Sequence, residues 1–254
     1  MDFKIELPPS VDNVVQNITD EPTKKIGSLI KDALYLRFGS VSYKAEKRRI
    51  LEKYGLMEFE NHLQSRINRI PLDKLVTPDY QTIMLAIDNL EPCLNSEDLR
   101  NLFSNLIARS CNCDYKNSIH PSFSEILRQM SPYDAKILKF FVTTKPERFI
   151  TYTFLSKDGK SFDRVPYMFD TYPEPDEADY VSIAISSLMR LGILAFHDDA
   201  LVTFVNDSPF EDSEFFKCCE NERVRQGTYW QSRITAQVCK ITPLGNSFIH
   251  ACFD

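Results

Sequence analysis

Leu99, Leu102, Phe103, Leu106 and Ile107 return at intervals of three and four residues, the spacing that lines five apolar side chains along one face of an α-helix. Such a stripe must be covered, so the chain folds around helices that pack on one another. The same period runs through Ile26, Leu29, Ile30, Ala33 and Leu34, in a helix that begins near Glu21 with Pro22 in its first turn. In the charged segment 41–70 it returns at Ile50, Tyr54 and Met57, then at Phe59, Leu63, Ile67 and Ile70. One long helix is predicted there, with Gly55 as the point of a bend. Pro71 ends that pattern, and Pro78 precedes a further apolar helix over 80–90. Residues 1–20, with two prolines and little periodicity, read as a loosely held arm.

Boundary signals divide the remaining helices. Asn95 with Asp98 three residues later reads as a capping pair ahead of the central stripe. His120-Pro121 puts a proline at a first helical position, followed by Phe123, Ile126, Leu127 and Met130 on a buried face. Ser131 as cap, Pro132 at N1 and Asp134 at N3 open a helix carrying Ile137, Leu138 and Phe141.

The last third mixes periods. A helix over 178–191 buries Val181, Ala184, Ile185, Leu188 and Met189, and Gly192 is suited to its left-handed end. The short β-rich runs 193–196 and 201–204 read as a hairpin, and 234–241 as a further strand. Thr242 caps a closing helix with Leu244, Phe248, Ile249 and Cys252 on one stripe. This order of helix, helix, hairpin and closing helix looks like a winged-helix module, whose middle helix and an insertion would lie in the aromatic, proline-bearing segment 143–176. The expected fold class is mainly α with a small β component. Its parts are an arm at 1–20, a helical domain at 21–130, and a winged-helix-like domain at 131–254 with an insertion near 150–177.

Composition removes several functions. With 7 glycines against 14 prolines, the 254-residue chain has little material for a glycine-rich phosphate loop, and no cofactor is expected. No apolar run approaches the ~18 to 20 residues of a membrane span. The opening Met1-Asp2-Phe3-Lys4 lacks the basic start and apolar core of a secretory signal, so a cytoplasmic protein is expected. Seven cysteines, an odd number, fit reduced thiols. Cys111, Cys113 and His120 do not assemble a four-ligand zinc spacing, and Cys218 and Cys219 beside Phe215 and Phe216 read as packing residues. His62, His197 and His250 stand alone. His120 and Ser122, two apart on a presumed helix start, point in different directions and lack a third catalytic partner.

The net charge of -6 is unevenly spread. Residues 24–53 hold nine basic side chains against three acidic ones, with Lys44, Lys47, Arg48 and Arg49 as the densest part, whereas 132–254 is acidic on balance. Lys44, Lys47 and Arg48 share a helix face, and the four are the candidate contact surface for a partner. A protein partner or self-association is the favoured occupant; nucleic acid and an anionic membrane surface are the external options. DNA is disfavoured because the helix that would enter the groove offers only Arg190 and follows an acidic cluster at Glu174, Asp176, Glu177 and Asp179. No catalytic pair stands at a recognisable spacing, although hydrolase and nuclease sites can be assembled from residues far apart.

Several segments, in order, resemble the Abi-alpha abortive-infection family of bacterial proteins. They are Arg69-Ile70-Pro71, Glu97-Asp98-Leu99-Arg100, Phe103-Ser104-Asn105-Leu106-Ile107-Ala108, His120-Pro121-Ser122-Phe123, Ser131-Pro132-Tyr133-Asp134-Ala135, Leu191-Gly192-Ile193-Leu194 and Leu244-Gly245. They span most of the chain. The resemblance implies defence against phage, in which an infected cell stops growing or dies before progeny are released, and it implies no established active site. The stretches 162–175 and 211–230 depart from the family's pattern.

Overall fold

The computed structural model describes residues 26–30, 32–34, 46–145, 148–169, 172, 175–196, 203–204 and 208–253, with the backbone alone at 46–53, 175 and 203–204. It is mostly helical with antiparallel sheet. The chain divides into two compact units, one running to Pro132 and including Ser247–Asp254, the other comprising Tyr133–Asn246.

In the first unit, residues 26–30 and 32–34 are helical, with Ile26, Ile30, Ala33 and Leu34 buried. Helices α1 (Glu46–Ile67), α2 (Tyr80–Leu90), α3 (Glu97–Ser110) and α4 (Phe123–Gln129) follow. The central stripe places α3 against α1, α2 and α4, and all five of its apolar residues are buried. Arg100 is only 6% exposed, and it donates to the Leu94 carbonyl and pairs with Glu58 of α1 at 3.2 Å. Asn89 of α2 donates to Ser124 and Glu125 of α4.

Several local expectations are corrected here. Helix α1 is described from Glu46, residues 41–45 of the expected helix lying outside the described residues, and it runs unbroken through Gly55. Its buried stripe is Phe59, Leu63 and Ile67, while Tyr54 and Met57 face solvent. The cap of α3 is Ser96, which accepts from the Leu99 amide, one residue beyond the expected Asn95. Helix α4 begins at Phe123, so Pro121 lies in the preceding turn and not at N1.

The second unit is built from α5 (Pro132–Thr144), β1 (Phe149–Ser156), β2 (Ser161–Phe169), α6 (Ala178–Arg190), β3 (Leu194–Phe196), β4 (Thr203–Phe204), α7 (Glu214–Gln226), β5 (Tyr229–Gln237), β6 (Cys239–Ile241) and α8 (Pro243–Cys252), whose later turns belong to the first unit. The main sheet has the order β2-β1-β5-β4, and every pairing is antiparallel. Strand β1 does not alternate between buried and exposed residues, because rings reach it from two helices. Phe149 meets Phe141 of α5, and Tyr152 meets Phe216 of α7. Pro166 sits in edge strand β2, where a missing amide costs no interior ladder bond.

The sheet overturns three expectations. The β1–β2 hairpin occupies the segment 143–176 in which a middle helix was expected. The described residues of the expected 193–204 hairpin pair elsewhere: β3 pairs with β6 and β4 with β5, in different sheets. The strand expected over 234–241 is divided at Val238 between those sheets. The unassigned stretch 211–230 contains α7, capped by Ser213 and closed by Gly227 at φ 67°.

The junction before α8 is tightly set. Thr242 Oγ1 accepts from the Gly245 amide, as a cap should, and the Thr242 amide donates to the Ile193 carbonyl at 3.0 Å. A Cβ on Gly245 would stand 2.3 Å from that same carbonyl oxygen, so only glycine permits the approach. Phe248 and Cys252 are fully buried, whereas Leu244 of the same predicted stripe is exposed.

Candidate functional site

Arg66 in the last turn of α1, Arg69 just beyond it and Arg109 in the last turn of α3 line one cavity of ≈ 220 Å³. Arg66 and Arg69 are three residues apart, while Asn105, Ala108, Arg109 and Asn112 follow the helical period of α3. Ile70, Pro71 and Tyr115 also line it, and none of the nine described lining residues is acidic. Tyr115 is placed by a tight turn over Cys113–Tyr115, capped by Asn112 accepting from the Asp114 amide at 3.0 Å.

Two of the three guanidinium groups have identifiable supports. Arg66 Nε donates to Asn105 Oδ1 in a short bond. Arg109 donates to the carbonyls of His250 and Phe253, and Asn105 donates to the carbonyl of Cys252. These carbonyls lie at the C-terminal end of α8, where a helix leaves carbonyl oxygens without intrahelical partners. Arg109 also lies 5.1 Å from the centre of the Tyr115 ring, which stacks on His250 at 4.7 Å. Arg69 is different: it is exposed, and no described residue accepts from its guanidinium.

The basic residues singled out in the sequence are placed only in part. Lys44 lies outside the described residues; Lys47, Arg48 and Arg49 fall in the first turns of α1, where the backbone alone is described. The cavity was missed in the sequence because its three arginines are spread over 44 positions with no shared motif. The available signal was Arg69-Ile70-Pro71 and Asn105 to Ala108, both among the family-like segments. His250 stands alone in the sequence and meets Tyr115 and Arg109 only in the fold.

His120 and Ser122 do meet, contrary to expectation: Nδ1 and Oγ are 2.7 Å apart. Residues 120–122 precede the helix rather than opening it, and the Ser122 amide also donates to His120 Nδ1. The pair closes an exposed turn, with no carboxylate hydrogen-bonded to it among the described residues. All seven cysteines are free; Cys111 and Cys239 are buried, and desolvation pushes both thiols up to about 12. Cys219 is buried, but Cys218, expected to pack, faces solvent. No group of three or more His, Cys, Asp or Glu able to hold a metal occurs among the described residues. Among them, too, no helix is long and apolar enough to cross a membrane.

These features define a mainly α protein with an arginine-lined cavity in its helical unit. A family model, abortive infection alpha, matches residues 51–252, and the chain belongs to that family. Its function is therefore abortive infection, a defence against phage. No curated protein and no solved structure gives a significant match.

Proposed function

We propose that the chain acts in abortive infection by recognition rather than by turnover, reading an anionic signal in its helical unit and answering through a protein contact. The observation that carries this reading is the arginine-lined cavity, none of whose nine described lining residues is acidic and all of whose described lining lies within the span that the family model matches. The cavity gathers positive charge, and Arg69, exposed and with no described acceptor, offers its guanidinium to an anion. The answering contact is assigned to Lys44, Lys47, Arg48 and Arg49, and the partner is a protein or a second copy presenting acidic groups. The net negative charge of the second unit's sequence makes self-association a natural case.

The test is a phage challenge of cells carrying charge reversals at Lys47 and Arg48. Protection should be lost and the thermal midpoint should stay near that of the wild type. Full protection would remove the basic stretch from the function.

DNA binding by a winged-helix-like second unit is the runner-up, supported by the β3–β6 ribbon between α6 and α8. It is weakened by the acidic residues around α6, of which Asp179 is already paired with Arg164 at 2.6 Å. A hydrolase or nuclease is the third reading, and among the described residues the His120–Ser122 pair is its local support.

A further inference from the structure

We infer that the aromatic end of the second unit's main sheet, formed by Phe162, Tyr229 and Trp230, is a binding surface for single-stranded nucleic acid. Its residues and its chemistry are separate from those of the recognition reading above, and it makes no use of α6 as a groove-reading helix.

Three rings meet where β2, β1 and β5 lie side by side. Phe154 of β1, only 3% exposed, is the register partner of Phe162 on β2 and lies 5.6 Å from the Tyr229 ring. Phe162 is 50% exposed, and it stacks on Tyr229 with ring planes 28° apart and centroids at 6.2 Å. The buried ring holds the two outer ones, so the surface stands ready before a ligand arrives. Trp230, 56% exposed, falls at an irregularity in the β1–β5 register: Leu155 pairs with Gln231 and Ser156 with Tyr229, which leaves Trp230 without an opposite residue. Bulges of this kind re-aim a side chain. Every nucleobase has a π-face, and exposed rings on neighbouring strands stack unpaired bases whatever their sequence.

The charge around the rings suits a phosphate backbone. Segments 156–162 and 225–233 hold four basic residues against one acidic, in a unit whose sequence is otherwise acidic. Lys157, beside the partner of Tyr229, and Arg225, in the last turn of α7, are exposed and pair with no described residue. Lys160 is paired with Asp158 at 2.8 Å. A duplex stacks its bases on one another and hides their faces, so the rings select a single strand. An anionic membrane would meet the same cations, but the turn between β1 and β2, Lys157-Asp158-Gly159-Lys160, is charged and exposed and offers no apolar tip to insert.

Trp230 is the chain's single tryptophan, so its fluorescence reports on this surface directly. The full chain is titrated at low ionic strength with an oligothymidylate of about 12 nucleotides, a mixed-sequence RNA of the same length, a DNA duplex of that length, and phosphatidylcholine vesicles containing phosphatidylglycerol. Single strands should quench the emission saturably, with the duplex about tenfold weaker or more, and added salt should weaken the binding. With anisotropy of a labelled oligothymidylate as the readout, Trp230→Ala and Phe162→Ala should each weaken binding about fivefold or more, and Trp230→Phe should retain most of it. Lys157→Glu should weaken binding without touching the rings, and its melting temperature should stay near that of the wild type, as for an exposed side chain. Preference for the DNA or the RNA strand, or parity between them, supports the surface equally. No saturable binding of either single strand, a duplex bound as tightly, or undiminished binding by both ring variants overturns it. A blue shift with the vesicles and no quenching by single strands overturns it as well, and assigns the rings to a membrane surface.

Discussion

Gly55 of α1 lies against the backbone of Leu94: a Cβ at position 55 would stand 2.4 Å from the Leu94 carbonyl oxygen. That oxygen also accepts from Arg100, so it cannot retreat without disturbing a buried guanidinium. Alanine normally favours a helix interior over glycine, yet here Gly55→Ala should destabilise by about 1 to 3 kcal/mol, because the overlap is with backbone. Denaturant unfolding of the variant checks the sign. A stabilised Gly55→Ala would show that α1 does not approach Leu94 this closely.

Glu60, beside Phe59 on α1, is 2% exposed, and neither carboxylate oxygen has a hydrogen-bond partner. Desolvation pushes its carboxyl up to about 7 from 4.5. Between those values the folded state keeps a proton that the unfolded chain has released, so stability falls as pH rises through this window and levels above it. The loss attributable to this group is on the order of 3 kcal/mol. Glu60→Gln cannot ionise, so its stability relative to the wild type should improve between about pH 5 and about pH 8. A difference that does not change with pH would mean that Glu60 is solvated.

Leu106 and Phe248 are at most 1% exposed in the first unit, and Leu188 is fully buried in the second. Alanine at any of the three should cost about 2 to 5 kcal/mol. Met57→Ala, on the solvent face of α1, should cost less than about 0.5 kcal/mol. Comparable losses at Met57 and Leu106 would contradict the observed rotation of α1.

Thr242 both caps α8 and donates to the Gly192 carbonyl. Thr242→Ala should cost about 0.5 to 2 kcal/mol, the range for a lost N-cap, while Thr242→Ser should retain most of that. Equal losses from both would point to the methyl group and away from the hydroxyl.

The sequence by itself determined the helices whose signals are local. Helix α2 was delimited by Pro78 and its apolar period, α5 by Ser131 and Pro132, α6 by its stripe and Gly192, and α8 by Thr242, because caps and 3.6-residue periodicity act within a few residues. The α3 stripe was read correctly for the same reason, although its cap was displaced by one residue. Tertiary structure decided what depends on distant partners. Runs 193–196 and 201–204 look like a hairpin by proximity, but strand pairing is won by the neighbour that buries the right face, and β6 and β5 lie some 40 residues on. The face of α1 was fixed by the approach of Gly55 to Leu94, which turned Tyr54 and Met57 outward. Tertiary structure also made the cavity, since Arg66, Arg69 and Arg109 acquire a common purpose only when the ends of two helices are brought together.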